Sequence, residues 1–282
     1  MASITRTPEA LVTNHHNHDD HEPDIFDRGL AADMETFYSR RRALLLFGAA
    51  GLAAGGAVAA MATGQASATT DAVEACVGKV PSETLGPFPA DGTNGPDVLL
   101  QSGIVRSDIR PSFGNFHGVA AGIPLRYEIT ILDSVSCAPF AGAALYVWQC
   151  DKDGLYTMYS SGKLNENYLR GVQVADSTGT VAFQAVFPGC YPGRWPHLHF
   201  EVHNTLAQAT SSATPRLTSQ LALPAAACSA VYATSAYAAS AAPYRGVSLA
   251  TDGVFRDGYS KQLATVTGNT TTGYTAKLTI SV

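Results

Sequence analysis

From residue 123 the chain alternates between apolar and polar side chains. Leu125, Tyr127, Ile129 and Ile131 are apolar, and Arg126, Glu128 and Thr130 stand between them. A period of two puts one set on each face of extended backbone, so this stretch predicts a half-buried β-strand. Residues 143–148, 180–187, 197–203, 219–223, 258–266 and 274–282 predict further strands. Between them lie turn signals: Asp133-Ser134 with Pro139, Asp151-Lys152-Asp153-Gly154, and Asp176-Ser177-Thr178-Gly179. Many short strands separated by such turns predict an all-β domain, a sandwich or a barrel of mainly antiparallel strands with long loops and little helix. The alanine-rich stretch 225–243 predicts a short helix or an irregular loop.

The chain has 282 residues, 46% of them hydrophobic and 15% charged, which suits one globular domain with extensions. Its 26 glycines and 15 prolines favour a loop-rich fold. The net charge of −5 is uneven, because residues 1–42 carry eight of the 23 acidic and five of the 18 basic side chains. The remainder is close to neutral and offers no basic patch for a nucleic-acid partner.

Residues 1–38 are polar, with a histidine tract at His15, His16, His18 and His21. No apolar pattern surrounds it, so it reads as a disordered leader rather than a metal-binding tract. Ser39-Arg40-Arg41-Arg42 then precedes an apolar Ala/Gly-rich run that ends near Ala66-Ser67-Ala68. Basic residues, a mildly apolar run and an A-x-A site make residues 39–68 an export signal, and the paired arginines resemble the twin-arginine type. A transmembrane anchor is the alternative. Alanine and glycine make the run weakly apolar, which favours cleavage and no stable membrane anchor. The expected partner is the twin-arginine export machinery, and the expected mature domain is 69–282. Five cysteines, Cys76, Cys137, Cys150, Cys190 and Cys228, suit an oxidising compartment. Their pairing is open; Cys137 with Cys150 is the first expectation, because they flank one short segment.

Chemistry concentrates in residues 188–200, which hold Tyr191, Arg194, His197 and His199. On a strand, His197 and His199 project from one face about 6.5–7 Å apart, within reach of one metal ion. The bland alternative is a pair of surface histidines on an edge strand. No Asp or Glu lies inside the stretch, although Glu201 shares the face. Tyr191 offers a phenolate instead, a hard anionic oxygen donor that suits Fe(III) better than zinc.

Tyr168-Leu169-Arg170-Gly171-Val172-Gln173, Phe187-Pro188-Gly189-Cys190-Tyr191-Pro192-Gly193-Arg194 and His197-Leu198-His199 resemble the intradiol ring-cleavage dioxygenase family. Upstream, Glu83-Thr84-Leu85-Gly86-Pro87-Phe88, Ser107-Asp108-Ile109-Arg110 and residues 141–151 match in order and spacing. The resemblance covers nearly all of the expected mature chain. It implies a β-sandwich and one non-haem Fe(III) per chain, held by Tyr156, Tyr191, His197 and His199. Tyr159 and Tyr146 are weaker substitutes for Tyr156.

The resemblance further implies a catechol bound as a dianion through both oxygens, with O2 as the second substrate. Tyr191 would leave the metal and take up a substrate proton. The ring would open between its two hydroxylated carbons to a cis,cis-muconate-type diacid, with both atoms of O2 incorporated. Arg194 would stabilise developing negative charge and contact substrate, as would Gln220, and Leu85, Pro87 and Phe88 would line the pocket. There are departures. Gln149 stands where the family often has His, and Cys190 stands where Trp is common, free to pair with Cys228 or to alter the pocket wall. Only residues 69–122 precede the first predicted strand, too few for the helical dimerisation region of the catechol-specific branch. Two rival readings remain at this stage. One is a non-catalytic sandwich binding protein. The other is a zinc hydrolase using His197 and His199 with a third ligand from His203, His117 or Glu201.

Overall fold

The computed structural model describes residues 78–211 and 213–282, so the expected leader and export signal lie outside the described residues. Eight strands form two four-stranded sheets: β1 (Pro124–Leu132), β2 (Ala144–Trp148), β3 (Arg170–Val174), β4 (Thr180–Val186), β5 (His197–His203), β6 (Leu217–Ala222), β7 (Thr265–Asn269) and β8 (Gly273–Ser281). The first sheet runs β4-β1-β8-β7 and the second β3-β2-β5-β6. Every neighbouring pair is antiparallel except β1 with β8. This is the expected β-sandwich. Among the described residues there are three short α-helices, α1 (Leu206–Ala209), α2 (Ala225–Tyr232) and α3 (Ala238–Arg245). The last two occupy the alanine-rich stretch, where alanine's high helix propensity prevails. Among the described residues no helix is long and apolar enough to cross a membrane.

The alternation in β1 is realised. Leu125, Tyr127, Ile129 and Ile131 are buried and face Leu145, Val147, Leu198, Phe200 and Val202 across the sandwich core. A second apolar cluster lies on the outer side of the β3-β2-β5-β6 sheet. There Tyr146, Trp148 and Val172 meet Leu85, Phe88, Val98 and Ile104 of the segment that precedes β1. That segment crosses the sheet face as an arm and removes it from water.

Three expectations are corrected. The strand expected over 258–266 is β7, Thr265–Asn269; residues before it instead cross to β6, where Ala222 N–H donates to the Gln262 carbonyl (2.8 Å). Residues 258–261 lack the alternating apolar positions a strand needs. Cys137 does not pair with Cys150, and Cys190 does not pair with Cys228. Cys137 is disulfide-bonded, whereas Cys150, Cys190 and Cys228 are buried free thiols. Cys150 Sγ lies 3.5 Å from the carbonyl of Gly189, in the loop that follows β4.

Strand β3 had no alternating signal because it begins with a buried arginine and a glycine. Gly171 is required because a Cβ there would lie 2.5 Å from Ile109 Cγ2. Arg170 is fully buried and ties three segments together. Its guanidinium donates to the Phe88 and Pro89 carbonyls (2.9 and 3.0 Å), to Thr157 Oγ1 and O (3.1 and 2.9 Å), and to Tyr146 Oη (3.3 Å). Arg170→Met should therefore orphan buried carbonyls of the arm and cost about 3–5 kcal/mol. Denaturant unfolding checks this, and a loss below about 1 kcal/mol would show that the arm is held by apolar contact alone.

Candidate metal centre

Strand β5 lies between β2 and β6 and is buried along its whole length. Leu198, Phe200 and Val202 face the sandwich core, so His197, His199, Glu201 and His203 project from the opposite face, beneath the arm and loops. The surface-edge reading of the histidine pair is thereby removed. Register sets Trp148, His199 and Gln220 side by side across three strands. The Trp148 ring stacks on His199 at 4.8 Å and 10° and fixes the imidazole plane.

The tyrosines come from two loops pressed together. The turn at residues 151–154 leads to Tyr156, whose ring packs on Phe88 at 4.8 Å. The loop carrying Tyr191 docks on that turn through Gly189, whose N–H donates to the Asp151 carbonyl (2.8 Å). A Cβ on Gly189 would lie 2.5–2.7 Å from Gly154 N and the Asp151 and Lys152 carbonyls, so only glycine permits this approach. Ser240 Oγ accepts the Cys190 N–H (2.9 Å) and donates to the Lys152 carbonyl (3.0 Å), clamping both loops from α3.

Four donor atoms converge as a result. Tyr156 Oη lies 3.4 Å from Tyr191 Oη and 3.5 Å from His197 Nε2. Tyr191 Oη lies 3.3 Å from His197 Nε2, which lies 3.0 Å from His199 Nε2. Donors that each bind one first-row metal ion at about 2 Å show separations of this size. His197 Nδ1 donates to the Trp195 carbonyl (2.5 Å), which turns the Nε2 lone pair towards the cluster. Burial, reinforced by the Arg194 charge, lowers His197 to about 3, and burial with neighbouring His197 lowers His199 well below the usual range. Both rings are therefore neutral near pH 7, the form in which an imidazole can bind a metal. Two neutral imidazole nitrogens, His197 Nε2 and His199 Nε2, facing each other at 3.0 Å suit a shared cation. Among the described residues no group of three or more His, Cys, Asp or Glu is arranged to hold a metal. A metal held here would take its anionic oxygen from the phenols of Tyr156 and Tyr191 rather than from a carboxylate.

Arg194 and Gln220 adjoin this cluster and bind each other, Arg194 Nη2 donating to Gln220 Oε1 (2.5 Å). Gln220 Nε2 donates to the Thr84 carbonyl (3.0 Å), so the arm fixes the amide. Asp252, a residue the sequence reading passed over, completes the arrangement. Its Oδ2 accepts from Arg194 Nε (3.0 Å) and the Trp195 N–H (2.7 Å), and its Oδ1 accepts from the Val254 and Phe255 N–H groups (2.7 and 3.0 Å). Burial acts to raise its carboxyl, but the Arg194 guanidinium and these N–H donors outweigh burial and hold it below the ordinary 3.8. Asp252-Gly253 looks like any Asp-Gly turn; the one clue was that a buried arginine needs a countercharge.

The remaining candidates fall elsewhere. Tyr159 Oη donates to Asn94 Oδ1 (2.8 Å) and Tyr146 Oη to the Pro89 carbonyl (2.5 Å), so both hold the arm. Gln149 spans the sandwich, accepting from Tyr127 Oη (2.7 Å) and donating to the Val186 carbonyl (2.9 Å). Cys190 packs in the sandwich core, and burial raises its thiol to about 12. Leu85 and Phe88 do pack in the cluster that contains Tyr156 and Tyr191. For the zinc reading, His117 is exposed, while Glu201 accepts from Thr218 Oγ1 (3.2 Å), and among the described residues no third ligand of that kind joins His197 and His199.

Residues 111–214 match the family model described as "Dioxygenase", a span that contains all four donors and Arg194. An intradiol ring-cleavage dioxygenase from Tetranychus urticae superposes with a TM-score of 0.51 at 25% identity, over 64% of this chain and 87% of that one. A second dioxygenase structure gives 0.52 at 24% identity, over 72% and 94%. The dioxygenase domain of a dioxygenase carbohydrate-binding protein fusion from Streptomyces sp. SirexAA-E gives 0.46 at 20%, over 72% and 97%. No curated protein sequence matches the chain. The resemblance to intradiol ring-cleavage dioxygenases carried by the sequence motifs is thus met by a family model and by the fold.

Two predictions follow from the buried charges. An imidazole in the unfolded chain titrates near 6.5, and both histidines bind protons more weakly when folded. The metal-free chain should be most stable above about pH 6.5 and lose stability as pH falls towards 3, with Asp252 adding to the loss below its ordinary 3.8. A thermal midpoint that stays flat from about pH 7.5 to 4 would contradict this. Asp252→Asn should cost about 3–5 kcal/mol by stripping Arg194 of its countercharge. In a double-mutant cycle Arg194→Gln should recover part of that loss, and strictly additive costs would show that the pair is not coupled.

Proposed function

We propose that this chain is an exported Fe(III)-dependent intradiol dioxygenase. It opens catecholic rings between the two hydroxylated carbons with O2 and releases cis,cis-muconate-type diacids. The observation that carries the reading is the convergence of Tyr156, Tyr191, His197 and His199 within 3.0–3.5 Å, beside a buried arginine. Two phenolates and two neutral imidazoles offer two negative charges and no soft donor, which favours a hard trivalent ion. Export is supported by Arg40-Arg41-Arg42 with the apolar run behind it, and by the disulfide at Cys137.

Bound ferric iron would acidify the catechol hydroxyls and prime the ring for O2. The chain's residues supply the rest. Tyr191 sits on the loop side of the cluster and is half-buried, unlike Tyr156, so it is the phenolate placed to yield its position and accept a substrate proton at Oη. Tyr156, locked against Phe88, and the histidines, locked by Trp148 and the Trp195 carbonyl, hold their places. Arg194 is oriented before substrate arrives by Asp252 and Gln220, so its charge can meet negative charge developing on the ring without reorganisation. The dry surroundings strengthen that effect.

Loading the purified chain with ferric iron should give about one iron per chain and a broad visible tyrosinate band. Oxygen uptake with catechol and an ultraviolet muconate product should follow. Tyr191→Phe should lose much of the band and roughly 100-fold or more of the activity. A protein that stays colourless after loading sinks the proposal, and a coloured protein without turnover leaves a binding protein.

A further inference from the structure

A cavity of about 600 Å³ opens at the other end of β5, and none of the four metal-centre donors lines it. Its wall includes Glu201 and His203 of β5, Glu83, Asp91 and Asp97 of the arm, and Arg216 ahead of β6. His203 is only 2% exposed, yet neither ring nitrogen has a hydrogen-bond partner. The Glu201 carboxylate comes no closer than 3.6 Å. A buried imidazole left so is costly unless something in the cavity satisfies it.

The charge of the wall says what that would be. Asp91 Oδ1 serves the Thr93 N–H (3.0 Å) and Asp97 Oδ1 the Leu99 N–H (2.9 Å), so each uses one oxygen locally. Arg216 is the cation of the wall, and its guanidinium is drawn off to Asp133 (3.3 Å) and the Val282 carbonyl (3.2 Å). A concave wall with a net negative charge concentrates cations. A bare metal ion does not fit, because among the described residues no three such side chains converge on a point. An aromatic or sugar ligand would lack a stacking platform, since no Phe, Tyr or Trp lines the cavity.

We propose that this cavity is a binding site for an extended organic cation, a linear di- or polyammonium ion. Its ammonium groups pair with Asp91, Asp97 and Glu201, and one N–H donates to His203. The site stands independently of the metal-centre reading. Calorimetric titration of spermidine into the full chain tests it. One saturable site is expected at low salt, weakened about tenfold or more by high salt. Asp97→Asn and His203→Phe should each weaken it about tenfold. Glu128→Gln, which removes a carboxylate of β1 outside the cavity, should leave it unchanged. Asp97 is only partly buried, so its variant carries the test if His203→Phe fails to fold. Absence of saturable binding overturns the proposal. So does equal weakening by Glu128→Gln and Asp97→Asn, or saturation by calcium but not by spermidine.

Discussion

Strand β5 carries apolar residues on one face and ionisable ones on the other, and both faces are out of water. That constraint governs the rest of the structure. A buried imidazole or guanidinium must be neutral, paired or bound to something. His197 meets the demand with the Trp195 carbonyl on one nitrogen and the donor cluster on the other. Arg194 meets it with Asp252 and Gln220. The arm that seals this face is itself held by a buried cation, Arg170, whose hydrogen bonds go mainly to backbone carbonyls. The same covering that makes the histidines metal-ready therefore depends on polar contacts as much as on the apolar cluster beneath it.

The fold was legible where a single alternation governs a strand. β1 and β8 are buried on one face only, so their side chains announce both direction and depth. β3 was not legible, because an arginine that satisfies buried carbonyls and a glycine that admits Ile109 erase the apolar signal. The position of β7 was misjudged for a related reason: residues 262–264 meet β6 through backbone bonds to Ala222 and the Gln262–Ser219 side-chain contact, neither of which leaves an alternating apolar pattern.

The site divides in the same way. Tyr191, Arg194, His197 and His199 lie within nine residues, so their proximity is local. Tyr156 needed the family resemblance, since nothing in residues 150–160 separates it from Tyr159. In the structure a backbone contact decides, because the Gly189 loop rests on the turn before Tyr156 and draws that side chain to the cluster. Asp252 lies 58 residues from Arg194, and only folding pairs them. Ion pairs between distant loops leave no periodicity to read.

Separate chemistries can share β5 because the strand is extended. Four residues from His199 to His203 span about 13 Å. A charge change at one end is attenuated at the other by the intervening sheet and by salt, whose screening length is about 8 Å at physiological strength. The arm is what joins them. It supplies Phe88 to Tyr156 and the Thr84 carbonyl to Gln220, and further along it supplies Asp91 and Asp97 to the acidic cavity. Any ligand that draws Asp91 and Asp97 inward pulls on the segment that backs Tyr156. Coupling between the two ends would therefore travel through the packing of the arm rather than through charge along the strand.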